Sequence, residues 1–200
     1  MTNTFILFLS TYIKFFFLLT PFFIVSIFLA LTADVNPVVK KLLAIKVTFG
    51  VEVISLILLF FGDKIFSLLG ISIAAFKIGA GALLFLSAIS LVQGKPTIPD
   101  VKTSVMDLAI VPMAIPITLG PGSVGALVVI SNTLNGMMDI FATAIAITLA
   151  VFSVGVMLYA ATYIESIIGE KGIQMLSKIT GLILASLSAQ MIFEGAATFL

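Results

Sequence analysis

Two ionisable side chains, Lys14 and Glu52, lie deep inside stretches that are otherwise apolar. A charge in hydrocarbon is costly, so such a residue usually has both a task and a partner. Two chemistries fit. Glu52 could carry a coupling ion, with Lys14 tuning it, or the two could form a structural ion pair that holds their segments together. Lys77 and Lys178 lie nearer the ends of their stretches and can snorkel. They could brace connectors, or pair with Glu194 and with an acid near residue 170. Gln190 could line a pathway or hydrogen-bond between helices. Asn132 suits a cap near a connector better than a ligand contact.

A second constellation is built on backbone chemistry. Pro21 and Pro121 stand one hundred residues apart, each inside an apolar stretch. The second belongs to Gly120-Pro121-Gly122, with Pro112 and Pro116 upstream. Proline removes a donor and clashes with the preceding turn, and glycine weakens a helix further. A helix broken there exposes unpaired N–H groups and the positive end of a dipole, which suit a carboxylate. The carbonyls ending the first half suit an ammonium. Gly120 and Gly122 would admit a ligand to the backbone, and Thr20, Ser26, Thr118 and Ser123 add hydroxyls. The candidate binding set is therefore Thr20, Pro21, Ser26, Pro116, Thr118, Gly120, Pro121, Gly122 and Ser123. The plainer alternative is that these prolines and glycines only kink packed helices.

The elements that must position these residues are membrane helices. Apolar residues are 61% of the 200 and charged residues 10%, against about 25% charged in soluble domains. Six stretches could each cross a bilayer: 4–32, 42–61, 70–92, 106–132, 140–162 and 173–199. Turn residues at 33–37, 62–64, 94–96, 135–136 and 169–172 separate them. No connector holds a soluble domain, so residues 1–200 form one membrane domain. The first stretch is too long for a signal-peptide core and is expected to be a retained span. Connectors one, three and five carry Lys40, Lys41, Lys95, Lys102 and Lys171, with Lys46 and Lys178 just inside adjoining spans. By the positive-inside rule those connectors are cytoplasmic and both termini lie outside, in the inner membrane.

Residues 1–99 and 100–200 overlay without gaps. Pro21 falls on Pro121, Gly81 on Gly181 and Thr48 on Thr148, and Lys77 falls within one residue of Lys178. Three spans per half is an odd number, so the halves insert in opposite senses. The expected fold is an all-α polytopic membrane protein. Its six transmembrane helices form two inverted three-helix repeats, with helices 1 and 4 broken. Paired interruptions of this kind point to a transporter's binding site.

The segments Thr20-Pro21 to Thr32, Gly70-Ile71-Ser72-Ile73 to Ile78, Val111-Pro112-Met113-Ala114-Ile115-Pro116 to Gly120-Pro121-Gly122, and Gly172-Ile173 to Gly181 resemble the MarC family of integral membrane proteins. That group is also called the neutral amino acid transporter family. The resemblance runs nearly end to end. It implies six spans and transport of small neutral amino acids such as glycine, alanine, serine or threonine. The family usually has Asn-Pro where this chain has Thr20-Pro21. A glycine and a second proline often follow there, where this chain has Phe23 and Ser26. The third connector is also shorter than in some relatives.

The expected function is thus a secondary transporter working by alternating access, with its site at the helix 1 and helix 4 breaks. The partners are a small neutral amino acid and the lipid bilayer. Coupling could use H⁺ or Na⁺, and Gly79-Ala80-Gly81 could support a homo-oligomer. The alternatives are a carrier or exporter of another small solute, or a channel-like or structural membrane protein. No enzyme activity, cofactor or metal is expected: the chain has no Cys and no His, and no close acidic pair. A net charge of +1 gives no reason to expect nucleic acid.

Overall fold

The computed structural model describes residues 2–32, 35–68, 70, 72–94, 114, 118–134 and 136–199. Among them every regular element is an α-helix: α1 (Thr2–Leu18), α2 (Pro21–Leu31), α3 (Pro37–Leu68), α4 (Ile73–Gln93), α5 (Pro121–Asn132), α6 (Met137–Tyr159) and α7 (Ala161–Ala196). Five helical stretches are long and apolar enough to cross a membrane: Thr4–Leu31, Pro37–Gly62, Ile73–Gln93, Met137–Tyr159 and Ala161–Ala196. The apolar α5 is shorter. Of the stretch expected at 106–132, residues 106–113 and 115–117, with Pro112 and Pro116, lie outside the described residues. So do Lys95 and Lys102.

Large apolar side chains point both ways. Phe15, Leu19, Ile24, Phe28, Leu127, Ile147 and Leu184 fill the interior. Phe49, Phe61, Phe141, Phe152 and Phe193 cover the outside. Helices with no polar face need an apolar solvent on their outer side, which is lipid. Most hydroxyls are absorbed by their own helices. Thr48 donates to the carbonyl of Ala44 at 2.7 Å, Ser153 to Leu149 at 2.8 Å and Thr180 to Leu176 at 3.0 Å. Such bonds satisfy the hydroxyl without recruiting a second helix.

The helices pack as α4 on α7, α1 and α3 on α6, α2 on α7, and α5 between α3 and α4. Glycines set the close approaches. A Cβ on Gly81 would lie 2.8 Å from Ile192 Cγ1 and 3.0 Å from the Ser188 carbonyl oxygen. A Cβ on Gly181 would lie 2.9 Å from Val92 Cγ2 and 3.0 Å from the Ala88 carbonyl oxygen. Each notch is therefore made by the helix that carries the other glycine, at positions differing by one hundred.

Two expected connectors are corrected. Residues 62–64 lie inside α3, which runs on to Leu68. Gly62 is a packing notch there, since a Cβ would lie 2.9 Å from Val128 Cγ2 on α5. The connector at 169–172 contracts to a kink at Gly169 (φ 73°, ψ 160°) within α7. Only glycine adopts that backbone readily. Gly94 closes α4 in a left-handed cap at φ 66°, as the third connector requires.

Candidate functional site

Pro21 and Pro121 both stand at the first position of a short helix, α2 of 11 residues and α5 of 12. That position needs no donor and suits proline's fixed φ. Each proline thus starts a helix rather than bending one. Upstream of Pro21, α1 ends at Leu18 and Thr20 adopts φ 50°, ψ 55°. It is the one non-glycine residue at positive φ among the described residues. A β-branched side chain in that region is strained, whereas asparagine tolerates it. Thr20 therefore holds the turn before Pro21 under backbone strain.

Upstream of Pro121, the N–H of Leu119 donates to the carbonyl of Ala114, five residues back, at 3.0 Å. This wide π-type turn ends one residue before Gly120, and such turns are common at functional sites. Neither Thr20 nor Gly120 caps its helix through a side chain. The first-turn N–H groups of Phe22 and Phe23, and of Gly122 and Ser123, have no acceptor within their own helices.

The start of α5 is joined to the end of α1 by one bond. Ser123 Oγ donates to the carbonyl oxygen of Leu18 at 2.9 Å, and Ser123 is buried. Leu18 is the last residue of α1, so its carbonyl is one that helix geometry leaves unpaired. Thr118 is buried beside Val47 and Val51 of α3 and Val154 and Leu158 of α6, in a gap with no room for water. Thr20 and Pro21 are buried as well. Thr20, Pro21, Ser123 and the Leu18 carbonyl therefore meet at one interior place. Ser26, one turn further along α2, opens instead on a cavity of about 240 Å³ among α2, α4 and α7. Pro116 lies outside the described residues.

One glycine has a different job from that expected. A Cβ on Gly122 would lie 2.6 Å from Leu84 Cδ1 and 3.1 Å from Leu84 Cα. Gly122 lets α5 press on α4, and that side of it is closed to a ligand.

The charges are also rearranged. Glu52 and Lys14 do not pair. Thr148 Oγ1 donates to Glu52 Oε1 at 2.6 Å, and Glu52 Oε2 is buried with no hydrogen-bond partner. Glu52 lies on a groove of about 480 Å³ between α3 and α6, walled by Ile45, Phe49, Phe152 and Tyr159. At the Tyr159 end, Lys41 Nζ sits 5.1 Å from the ring centroid, a cation–π contact. Glu194 accepts from Lys77 Nζ at 3.0 Å and from Gln190 Nε2 at 2.7 Å. The Gln190 bond runs along α7, not between helices. Sequence reasoning offered the Lys77–Glu194 pair but missed Ser123–Leu18 and Thr148–Glu52. Thr148, at the midpoint of an apolar span, was the only signal for the latter.

Comparison with known proteins adds the family. Residues 5–200 match the model of MarC family integral membrane proteins. The chain is 30% identical to a UPF0056 membrane protein of Aquifex aeolicus, covering 95% of this chain and 92% of that protein. It is 33% identical to one of Buchnera aphidicola subsp. Acyrthosiphon pisum, covering 94% and 92% respectively. It is 31% identical to one of Methanocaldococcus jannaschii, covering 94% and 95%. No solved structure matches the chain. A multi-pass helical chain matched over almost its whole length leaves one assignment: the protein belongs to the MarC family of integral membrane proteins.

Proposed function

We propose that this protein is a secondary transporter of small neutral amino acids, of the glycine, alanine, serine and threonine class. It works by alternating access, with its site at the starts of α2 and α5. The observation that carries this reading is the Ser123 bond to the Leu18 carbonyl, which ties the first turn of α5 to the end of α1, just before the Pro21 break, at a buried place. Broken helices in spans 1 and 4 then supply both halves of a zwitterion's needs. The first-turn N–H groups take the carboxylate, and the carbonyls ending α1 take the ammonium. Thr20 adds a hydroxyl oxygen. Desolvating both charges is expensive unless protein groups replace the lost water.

The inverted repeat is supported by reciprocity. Counterparts pack on each other, α4 on α7 and α3 on α6, and Gly81 and Gly181 sit in notches related by the offset of one hundred. Two related halves rocking about a shared site is the usual way such folds alternate. In this reading the odd connectors face the cytoplasm and both termini lie outside the inner membrane. Glu52 is the candidate for H⁺ or Na⁺ coupling, because one of its oxygens is held by Thr148 and the other is unpaired.

The test is counterflow of radiolabelled glycine, alanine and threonine in proteoliposomes containing only this protein. Saturable exchange without ATP is expected. Folded, inserted protein that exchanges none of the three would overturn the substrate assignment.

A further inference from the structure

α4 and α7 run antiparallel, so their ends meet twice, and the two meetings differ. At one, Lys77 and Glu194 form an ion pair of 3.0 Å, and Gln190 holds the second carboxylate oxygen at 2.7 Å. Gly195 closes this end, since a Cβ there would lie 2.7 Å from the Ala74 carbonyl oxygen. At the other end the repeat places Gly94 where Glu194 stands, and Lys178 within one residue of the counterpart of Lys77. Lys178 Cε lies 3.7 Å from the point where a Gly94 Cβ would be. The cation is kept, and position 94 itself carries no carboxylate. Lys178 has no ion pair among the described residues. The room that a glutamate side chain would take is part of the cavity of about 240 Å³, lined by Phe23, Ser26, Ser90, Gln93, Ser177 and Lys178 among others.

We propose that this cavity binds the carboxylate of a small organic acid or amino acid, with Lys178 as its counter-ion. The ligand supplies the group that Glu194 supplies at the mirrored place. An ammonium facing a carboxylate makes a charge-assisted hydrogen bond, stronger than a neutral one. Ser177 donates its own hydrogen to the Ile173 carbonyl at 2.9 Å. Its oxygen therefore remains an acceptor for a ligand ammonium. The volume is below the roughly 300–1,000 Å³ of pockets for drug-sized ligands, which fits a ligand of few atoms. Ser26 joins this vestibule to α2, the helix that begins at Pro21. Only the choice of an amino acid as the natural ligand rests on the transporter reading; carboxylate binding does not.

The chain has no tryptophan, so Phe23→Trp puts a single indole in the cavity wall. The purified protein is titrated with acetate, glycine and methylamine at constant ionic strength. Saturable fluorescence changes are expected with acetate and glycine and not with methylamine. Lys178→Gln should weaken the acetate response at least tenfold, and Lys178→Arg should retain it. Gln174→Trp, at the exposed rim, repeats the titration if tryptophan at 23 disturbs the wall. Lys178→Met stands in if the glutamine variant does not fold. No saturable change with acetate or glycine from either reporter, or an undiminished response without the cation, overturns the site. Counterflow on the same preparations separates the two ideas. Exchange without carboxylate binding at this cavity sinks the vestibule alone, whereas binding without exchange sinks the transporter reading alone.

Discussion

Ser123 lies 105 residues beyond Leu18 in the chain and donates its hydroxyl hydrogen to the Leu18 carbonyl across 2.9 Å. Ser123→Ala removes the hydroxyl partner of the Leu18 carbonyl, on a buried residue at the end of α1. An unmade bond of this kind costs about 1–3 kcal/mol. Thermal unfolding in detergent should show that loss, and Ser123→Thr should recover most of it. An alanine variant as stable as the parent would mean that α1 and α5 are not coupled through this bond.

Thr20 predicts an effect of opposite sign. Its left-handed backbone costs about 1–2 kcal/mol for a residue with a Cβ. Thr20→Gly and Thr20→Asn should therefore raise the unfolding temperature, with glycine's gain reduced by its greater freedom in the unfolded chain. Counterflow rates should fall in Thr20→Gly, because the hydroxyl at the start of α2 is lost. A lower melting temperature in both variants would show that the turn carries no strain.

Two glycines should respond differently to one methyl group. Gly122→Ala drives a Cβ into Leu84 and should destabilise by about 1–3 kcal/mol through overpacking. Gly79 has nothing within 4 Å of its missing Cβ, so Gly79→Ala should be neutral or stabilising by about 1 kcal/mol. Equilibrium unfolding of the two variants side by side reads the difference directly. A larger side chain, as in Gly122→Leu, would damage the α4–α5 contact before any substrate arrives.

Glu52→Gln keeps the shape of the side chain and an oxygen for Thr148, but removes the charge. Exchange at equal concentrations on both sides should persist. Uphill uptake driven by an ion gradient should be lost. Uptake that still follows the gradient in this variant would return Glu52 to a structural role beside Thr148.

What the sequence disclosed depended on whether the signal was local. The prolines were legible because a missing donor constrains position 21 or 121 whatever surrounds it. Five of the six expected spans were legible from hydropathy, and Gly94 from the glycine that ends a helix. Gly62-Asp63-Lys64 misled, because polar turn residues next to a glycine resemble a loop, while Gly62 in fact admits Val128 from another helix. Lys14 and Glu52 misled for a related reason. Counting residues gives depth in the bilayer but not direction around the helix axis, and direction sends Glu52 to Thr148 on α6. Gly122 was read as a place where a ligand approaches the backbone, and the neighbour there is Leu84. Ser123 was flagged as a hydroxyl, yet nothing near it in the chain points to Leu18.

The interlocking notches of Gly81 and Gly181 bear on how the chain is made. α4 leaves the ribosome with its groove unfilled, and the helix that fills it, α7, is synthesised only after α5 and α6. The first three spans must then wait in the bilayer as an unmated half. Residues 1–99 and 100–200, produced as separate polypeptides in one cell, should find each other and assemble through these two grooves, whereas either half alone should be cleared by membrane proteases.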